Sequence, residues 1–262
     1  MNIPTTQLFD IDFSVVTQQQ AVEAVIHWAR NKPDTPKMVV TPNVNLTMVQ
    51  RSNPAFRKVL NNAALCLVDG RPIYWASRWL NKPLPEVVTG SDLVPAIFDA
   101  CTRNQAEPGK LRVFFLGAAP GVAKRAAAHV ESQYRGVEVC GTYSPPFGFE
   151  HNPDECQKIC QWIAHSKAQI LIIGLGAPKQ EMWADKHLSQ TGAHVAICAG
   201  ATIDFLASEK PRAPVWMRKA GLEWLFRLCS EPKRLAGRYW RDGLALPALL
   251  WQEYQKQKRQ NQ

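Results

Sequence analysis

The sequence predicts an α/β protein built on a mostly parallel sheet with helices on both faces, followed by a basic, helical carboxy-terminal appendage. Three observations lead there. Short β-rich apolar runs recur at residues 38–40, 65–68, 113–116, 137–140, 170–175 and 195–198. Segments of helical length separate them, and continuous apolar runs of this kind suit strands buried on both faces of a parallel sheet. The third observation is charge. Residues 210–262 hold twelve Lys or Arg against four acids, which is +8 of the net +9, and four of the nine tryptophans. The organisation expected is a Rossmann-like core over 1–209 and an appendage over 210–262. About 200 residues bury a substantial core without disulfides or metals, and the 46% hydrophobic content agrees.

The elements follow in chain order. The opening MNIPTTQLFDIDF reads as a strand-like leader with two aspartates, no basic residue and no long apolar core. It does not resemble a signal peptide, so a cytoplasmic location is expected. Asp10-Ile11-Asp12 matches the D-x-D pattern of metal-dependent sugar transferases, but it stands in the leader rather than behind a core strand and is read as coincidence. Helices are expected at 53–62, 91–103, 120–134, 153–165 and 178–189, several opened by Pro, Ser or Asn. In the appendage, apolar stretches such as 244–251 fall far short of the roughly 20 residues that span a bilayer. Contact with a membrane is therefore expected to be monotopic. Trp216, Trp224, Trp240 and Trp251 among basic residues suit an anionic surface, with indoles at headgroup depth and Lys or Arg facing phosphates.

In an open parallel sheet, ligands bind outside the carboxyl ends of the strands. Four such ends stand out: Thr41-Pro42-Asn43-Val44-Asn45, Asp69-Gly70-Arg71-Pro72, Gly117-Ala118-Ala119-Pro120-Gly121 and Gly174-Leu175-Gly176-Ala177-Pro178-Lys179-Gln180-Glu181. Each has a purely structural reading. Asp69 suits a cap for the helix begun by Pro72, and Gly117 and Gly121 suit tight turns. Together they suit a nucleotide diphosphate, because glycines at strand-to-helix turns let backbone amides approach phosphate oxygens. Gly117, Gly174, Gly176 and Lys179, whose amides lie at these turns, are the candidate donor-binding residues.

Other chemistries lack their equipment. No Walker A loop or GxGxxG fingerprint is present, which disfavours a kinase or an NAD dehydrogenase. HExxH and GxSxG are missing, and the six histidines form no ligand-like pair. Seven cysteines without CxxC spacing support neither a zinc site nor a disulfide framework. Cys156 and Cys160 read as half-buried free thiols. No metal site and no cofactor are expected.

Thr41-Pro42-Asn43, Leu67-Val68-Asp69-Gly70, Thr89-Gly90-Ser91-Asp92-Leu93, Phe115-Leu116-Gly117, Ser144-Pro145-Pro146-Phe147, the 174–181 segment, Arg212-Ala213-Pro214 and Gly221-Leu222-Glu223-Trp224-Leu225 resemble the WecG/TagA/CpsF glycosyltransferases, glycosyltransferase family 26. The similarity runs in order from about residue 9 to residue 239. It implies an inverting, metal-independent enzyme that moves a sugar from a UDP-sugar to a saccharide on undecaprenyl diphosphate. The site implied is the cytoplasmic membrane face, during synthesis of a surface polysaccharide or a teichoic acid linkage unit. Asp69 stands where the family has its proposed base, Thr41 and Asn43 match the neighbouring polar pair, and Gln180 matches the donor-side glutamine. The resemblance also implies a basic appendage that docks on the membrane and completes the site. Arg212, Arg218, Arg227, Arg234 and Arg238 are its candidates for acceptor phosphates or membrane lipid.

One departure bears on the donor. The family often has Arg before its V-T/A-G segment, where this chain has Val87, so Arg71 or an appendage arginine is expected to substitute. The sugar stays open among N-acetylmannosamine, its uronic acid and glucose, and association of protomers has no heptad to set a number. Two other readings compete. A basic tail with aromatics also suits single-stranded nucleic acid, although no recognition motif appears. An inactive membrane-tethered scaffold is disfavoured by the intact set Thr41, Asn43, Asp69 and Gln180.

Overall fold

The computed structural model describes residues 3–104 and 109–260. β1 (Thr5–Leu8) and β2 (Ile11–Ser14) pair antiparallel through a turn in which Phe9 and Asp10 both take positive φ. α1 (Gln18–Arg30) opens on a reciprocal cap: the Thr17 hydroxyl accepts the Gln20 N–H while the Gln20 side chain accepts the Thr17 N–H. Strand and helix then alternate as β3 (Lys37–Val40), α2 (Val44–Ser52), α3 (Pro54–Asn61), β4 (Leu65–Cys66), α4 (Arg71–Trp79), α5 (Gly90–Arg103), β5 (Leu111–Gly117) and α6 (Val122–Gln133). They continue as β6 (Val137–Tyr143), α7 (Pro153–Ser166), β7 (Ile170–Gly174), α8 (Lys179–His187), β8 (Val195–Cys198) and α9 (Thr202–Leu206).

β3 to β8 form one wholly parallel sheet in the order β4-β3-β8-β7-β5-β6. All six apolar runs are its strands. Alternate side chains supply two cores, as the pleat requires. Val40, Phe114, Leu116, Leu171, Ile173, Ala196 and Cys198 face the hairpin, α3, α4, α7 and α8. Val39, Val113, Phe115, Ile170, Ile172, Val195 and Ile197 face α1, α5, α6 and α9. The 65–68 run contributes only two ladder residues, its continuation keeping single hydrogen bonds to Val40 and Pro42. The helix expected over 178–189 begins after Pro178 and ends at His187, with a 3₁₀ turn following. Three core helices go beyond the sequence reading, the short α9 among them. The polar run Gln18-Gln19-Gln20 conceals the start of α1, and α2 follows the Pro42-Asn43 turn directly. Among the described residues no cysteine is in a disulfide, and Cys156 and Cys160 are buried on α7.

The appendage is helical: α10 (Val215–Lys219), α11 (Glu223–Ser230) and α12 (Pro232–Gln260). The 29 residues of α12 rise about 44 Å at 1.5 Å each. It returns along α2 to the hairpin. Leu249 is buried in the first core, Glu253 pairs with Lys82 at 3.5 Å, and Gln257 donates to the Leu80 carbonyl at 3.3 Å. Lys256 reaches Asp10 at 2.6 Å, and the Asp12 amide donates to Asn61 Oδ1. The Asp10-Ile11-Asp12 segment is thus engaged in holding the hairpin and α12. Among the described residues, no helix is long and apolar enough to cross a membrane.

Candidate active site

Asp69 is placed by the end of β3. Beyond β4 the chain stays beside it, with Leu67 N donating to Val40 O at 2.8 Å and Asp69 N to Pro42 O at 3.0 Å, while Val88 N donates to Val68 O at 2.9 Å. Thr41, Asn43 and Asp69 therefore share one corner of the sheet's carboxyl edge. The turn into α4 is made by Gly70 at φ +112, which is itself the N-cap and makes no side-chain capping bond. The capping reading of Asp69 falls, and its carboxyl is left for other work. Thr41 is buried, and Asn43 caps α2, its Oδ1 accepting the Leu46 N–H at 3.2 Å.

Burial pushes the Asp69 carboxyl up from its ordinary 3.8 to about 6; Arg227 and Arg238 oppose this, while Glu223 and Asp92 add to it. Three of those four neighbours belong to α11 and α12. The appendage thus lies within electrostatic reach of the strand-end acid, and Asp69 itself keeps part of its surface open. Arg227 is held 3.8 Å from Glu223 and over the Phe205 ring at 5.1 Å, and Arg238 lies over Tyr239 at 5.3 Å.

Arg212 and Arg218 do something else. Both pair with Oδ1 of Asp92, at 2.5 and 3.0 Å, and Arg218 also donates to the Ala213 carbonyl. Oδ2 of Asp92 accepts from the Thr89 hydroxyl, which in turn accepts the Asp92 N–H. These two arginines staple the start of the appendage to the first turn of α5. The Arg234 side chain lies outside the described residues. Arg71, two residues past Asp69, packs under Gly221: a Cβ there would meet Arg71 Cγ at 2.8 Å, and φ is +76.

On the donor side, Gly117 and Gly174 are dictated by packing. A Cβ on Gly117 would stand 2.4 Å from the Gly174 carbonyl oxygen, and one on Gly174 would stand 2.9 Å from that of Gly200. Gly176, at φ +81, has open space around it, and the Ala177–Pro178 peptide is cis. Lys179 pairs with Glu150 at 2.8 Å and lies over Phe147 and Phe149, holding the Glu150 carboxyl below the usual range. Gln180 is buried. Its Nε2 donates to Glu181 Oε1 at 2.8 Å and its Oε1 accepts the Gly200 N–H at 3.3 Å, tying α8 to the end of β8. Glu181 is buried too, and burial pushes its carboxyl up to about 7.

The two clusters share the sheet's carboxyl edge, with β8 between β3 and β7. Sequence reasoning missed Asp92, Glu150 and Glu181. Asp92 and Glu181 stand inside segments already singled out, but as isolated letters their partners are invisible. Among the described residues, no group of three His, Cys, Asp or Glu side chains is arranged to hold a metal ion.

Known proteins similar to this chain are named as sugar transferases. An enzyme of Bacillus spizizenii (strain ATCC 23059 / NRRL B-14472 / W23), N-acetylglucosaminyldiphosphoundecaprenol N-acetyl-beta-D-mannosaminyltransferase, is 30% identical over 209 residues, covering 80% of this chain and 75% of the relative. The enzyme of the same name from Staphylococcus aureus (strain MRSA252) is 26% identical over 234 residues, covering 89% of this chain and 88% of the relative. The description Glycosyl transferase WecG/TagA/CpsF family fits residues 6–261. With the strand-end acid, the glycine turns and the basic helices all in that span, the chain belongs to the WecG/TagA/CpsF family of glycosyl transferases.

Proposed function

We propose that this protein is an inverting, metal-independent glycosyltransferase that moves a sugar from a UDP-sugar to a saccharide carried on undecaprenyl diphosphate, in the making of a cell-surface polysaccharide. The observation that carries the reading is the Asp69 carboxyl, raised to about 6 and faced by Arg227 and Arg238. A base with such a pKa is ionised at neutral pH and still accepts a proton readily. Asp69 takes the proton of the acceptor hydroxyl as that oxygen attacks the anomeric carbon. The new C–O bond forms on the face opposite UDP, the bond to the diphosphate oxygen breaks, and configuration inverts. Thr41 and Asn43 orient the hydroxyl. Charge gathering on the leaving diphosphate is met by backbone amides around Gly176 and by Arg227 and Arg238 in the role a metal ion fills elsewhere.

The relatives' names make UDP-N-acetylmannosamine and N-acetylglucosaminyl-diphosphoundecaprenol the first pair to try, ahead of the uronic acid and glucose donors. Residues 1–209 serve as the catalytic core and 210–262 as the appendage that completes the site and meets the cytoplasmic membrane face. Holding a membrane-borne acceptor beside the site raises its effective concentration.

The test is UDP release by the full-length protein with a panel of UDP-sugars and a polyprenyl-diphosphate-linked GlcNAc or glucose, in the presence of EDTA. Acceptor-dependent release from one donor is expected. Release only on addition of a divalent cation removes metal independence, and failure to bind UDP at all removes the enzyme reading.

A further inference from the structure

The exposed indoles are not confined to the appendage. Trp75 and Trp79, one turn apart on α4 of the core, are 57% and 59% exposed. Trp79 lies against Tyr254 of α12 with ring centroids 5.6 Å apart, and Tyr254 lies 6.1 Å from Trp251. Along α12, Trp240, Leu244, Trp251 and Tyr254 are 71%, 64%, 60% and 42% exposed. Their spacing puts them on one face of the helix, while Leu249 and Glu253 are buried on another. One aromatic surface therefore runs from the core onto the appendage.

We infer that α4 and α12 together form a single bilayer-docking face, in which Trp75 and Trp79 of the core enter the headgroup layer of an anionic membrane beside Trp251 and Tyr254. The inference rests on the membrane-borne acceptor of the proposed function and says which way the enzyme faces it. Composition selects the occupant. The surface is made chiefly of indoles, which settle at headgroup depth, rather than of the Leu, Ile or Val expected in a helix–helix seam. Exposed Arg78, Arg241, Lys258 and Arg259 lie on the same two helices and suit anionic lipid. Gly243 and Pro247 within α12 work against a regular pairing with a second helix.

The consequence lies in α4. It begins two residues after Asp69, so Trp75 stands only four residues, about 6 Å of helical rise, beyond the helix start that follows the acid. Core indoles at headgroup depth fix the tilt of the site's mouth towards the level at which a lipid carrier presents its diphosphate. Docking through the appendage alone would leave that tilt free.

The experiment uses the full-length protein and sedimentation with vesicles of phosphatidylcholine and phosphatidylglycerol at 3:1. Trp75→Ala/Trp79→Ala is expected to bind about ten-fold more weakly than the unaltered protein, with UDP binding and far-ultraviolet circular dichroism unchanged. Trp75→Glu, at an indole with no ring partner among the described residues, gives an independent route and should weaken binding in the same direction. Transfer to an undecaprenyl acceptor embedded in vesicles should fall in step, while transfer to a short-chain soluble acceptor should not. Unchanged vesicle binding in both variants overturns the inference, as does a switch in oligomeric state with lipid binding intact, which would assign the face to a second copy. Absence of transfer by the unaltered protein to either acceptor counts against the proposed function alone, since the vesicle measurement does not depend on turnover.

Discussion

The Arg218 guanidinium donates to Oδ1 of Asp92 at 3.0 Å, across 126 residues of sequence, and so fixes the segment leading into α11 against the first turn of α5. Arg212 shares the same oxygen. Asp92→Ala would leave two half-buried cations without their acid. The expected cost is about 1–3 kcal/mol, the range for a polar group left without its partner, read as a lower urea midpoint. Because the Asp92 charge also raises the Asp69 carboxyl, the acid limb of the activity profile should move to lower pH.

Asp69 titrates in a useful window. With its carboxyl at about 6 in the folded protein, kcat/KM should rise roughly ten-fold per pH unit below that value and level off above it. Asp69→Asn should abolish most transfer. The folded carboxyl sits above its ordinary 3.8, so the folded state holds the proton more tightly between about pH 4 and 6 and loses stability as pH rises through that window. The Asn variant escapes this loss and is expected to be more stable than the parent at pH 7, by about 3 kcal/mol, and close to it at pH 4. Urea titrations at the two pH values decide it.

Arg227 and Arg238 pull the Asp69 carboxyl down against the effect of burial. Arg227→Met and Arg238→Met should therefore each shift the acid limb to higher pH as well as slowing transfer. A slower enzyme with an unmoved limb would place the arginines away from the acid.

The glycines divide by cause. Gly117→Ala puts a methyl 2.4 Å from the Gly174 carbonyl oxygen at φ +116, and a loss above about 3 kcal/mol, or no soluble protein, is expected. Gly176→Ala meets no atom within 4 Å and pays only for its positive φ, about 1–2 kcal/mol. A donor-binding defect in a folded Gly176→Ala protein would mark that turn as the phosphate cradle, which isothermal titration with UDP reports directly.

The sheet is legible in the sequence because each strand is an apolar run lying between helices, a pattern that both faces of a buried sheet impose. Asp69 and Asn43 are legible for the same reason, standing where strands end. The rest depends on distances that no spacing encodes. Arg212 and Arg218 read as cations for acceptor phosphates or lipid, and their pairing with an acid 120 and 126 residues away is not visible in the sequence. Gln180 reads as a ligand-facing amide, yet it is buried between Glu181 and Gly200. α1 hides because its first turn is the polar run Gln18-Gln19-Gln20, and α2 because Asn53 at once ends it and caps α3, so that only the second helix is marked.

The contact of Lys256 with Asp10 turns the order of the chain into an order of assembly. All six sheet strands precede residue 199, so the layered core is complete in sequence well before Arg227 and Arg238 are synthesised. The hairpin at residues 5–14 must then wait for residues 249–257 to cover it. A growing chain can thus fold its scaffold before the cations beside Asp69 are made, and under the proposed function the sugar-transfer centre stays unfinished until α11 and the start of α12 have been added.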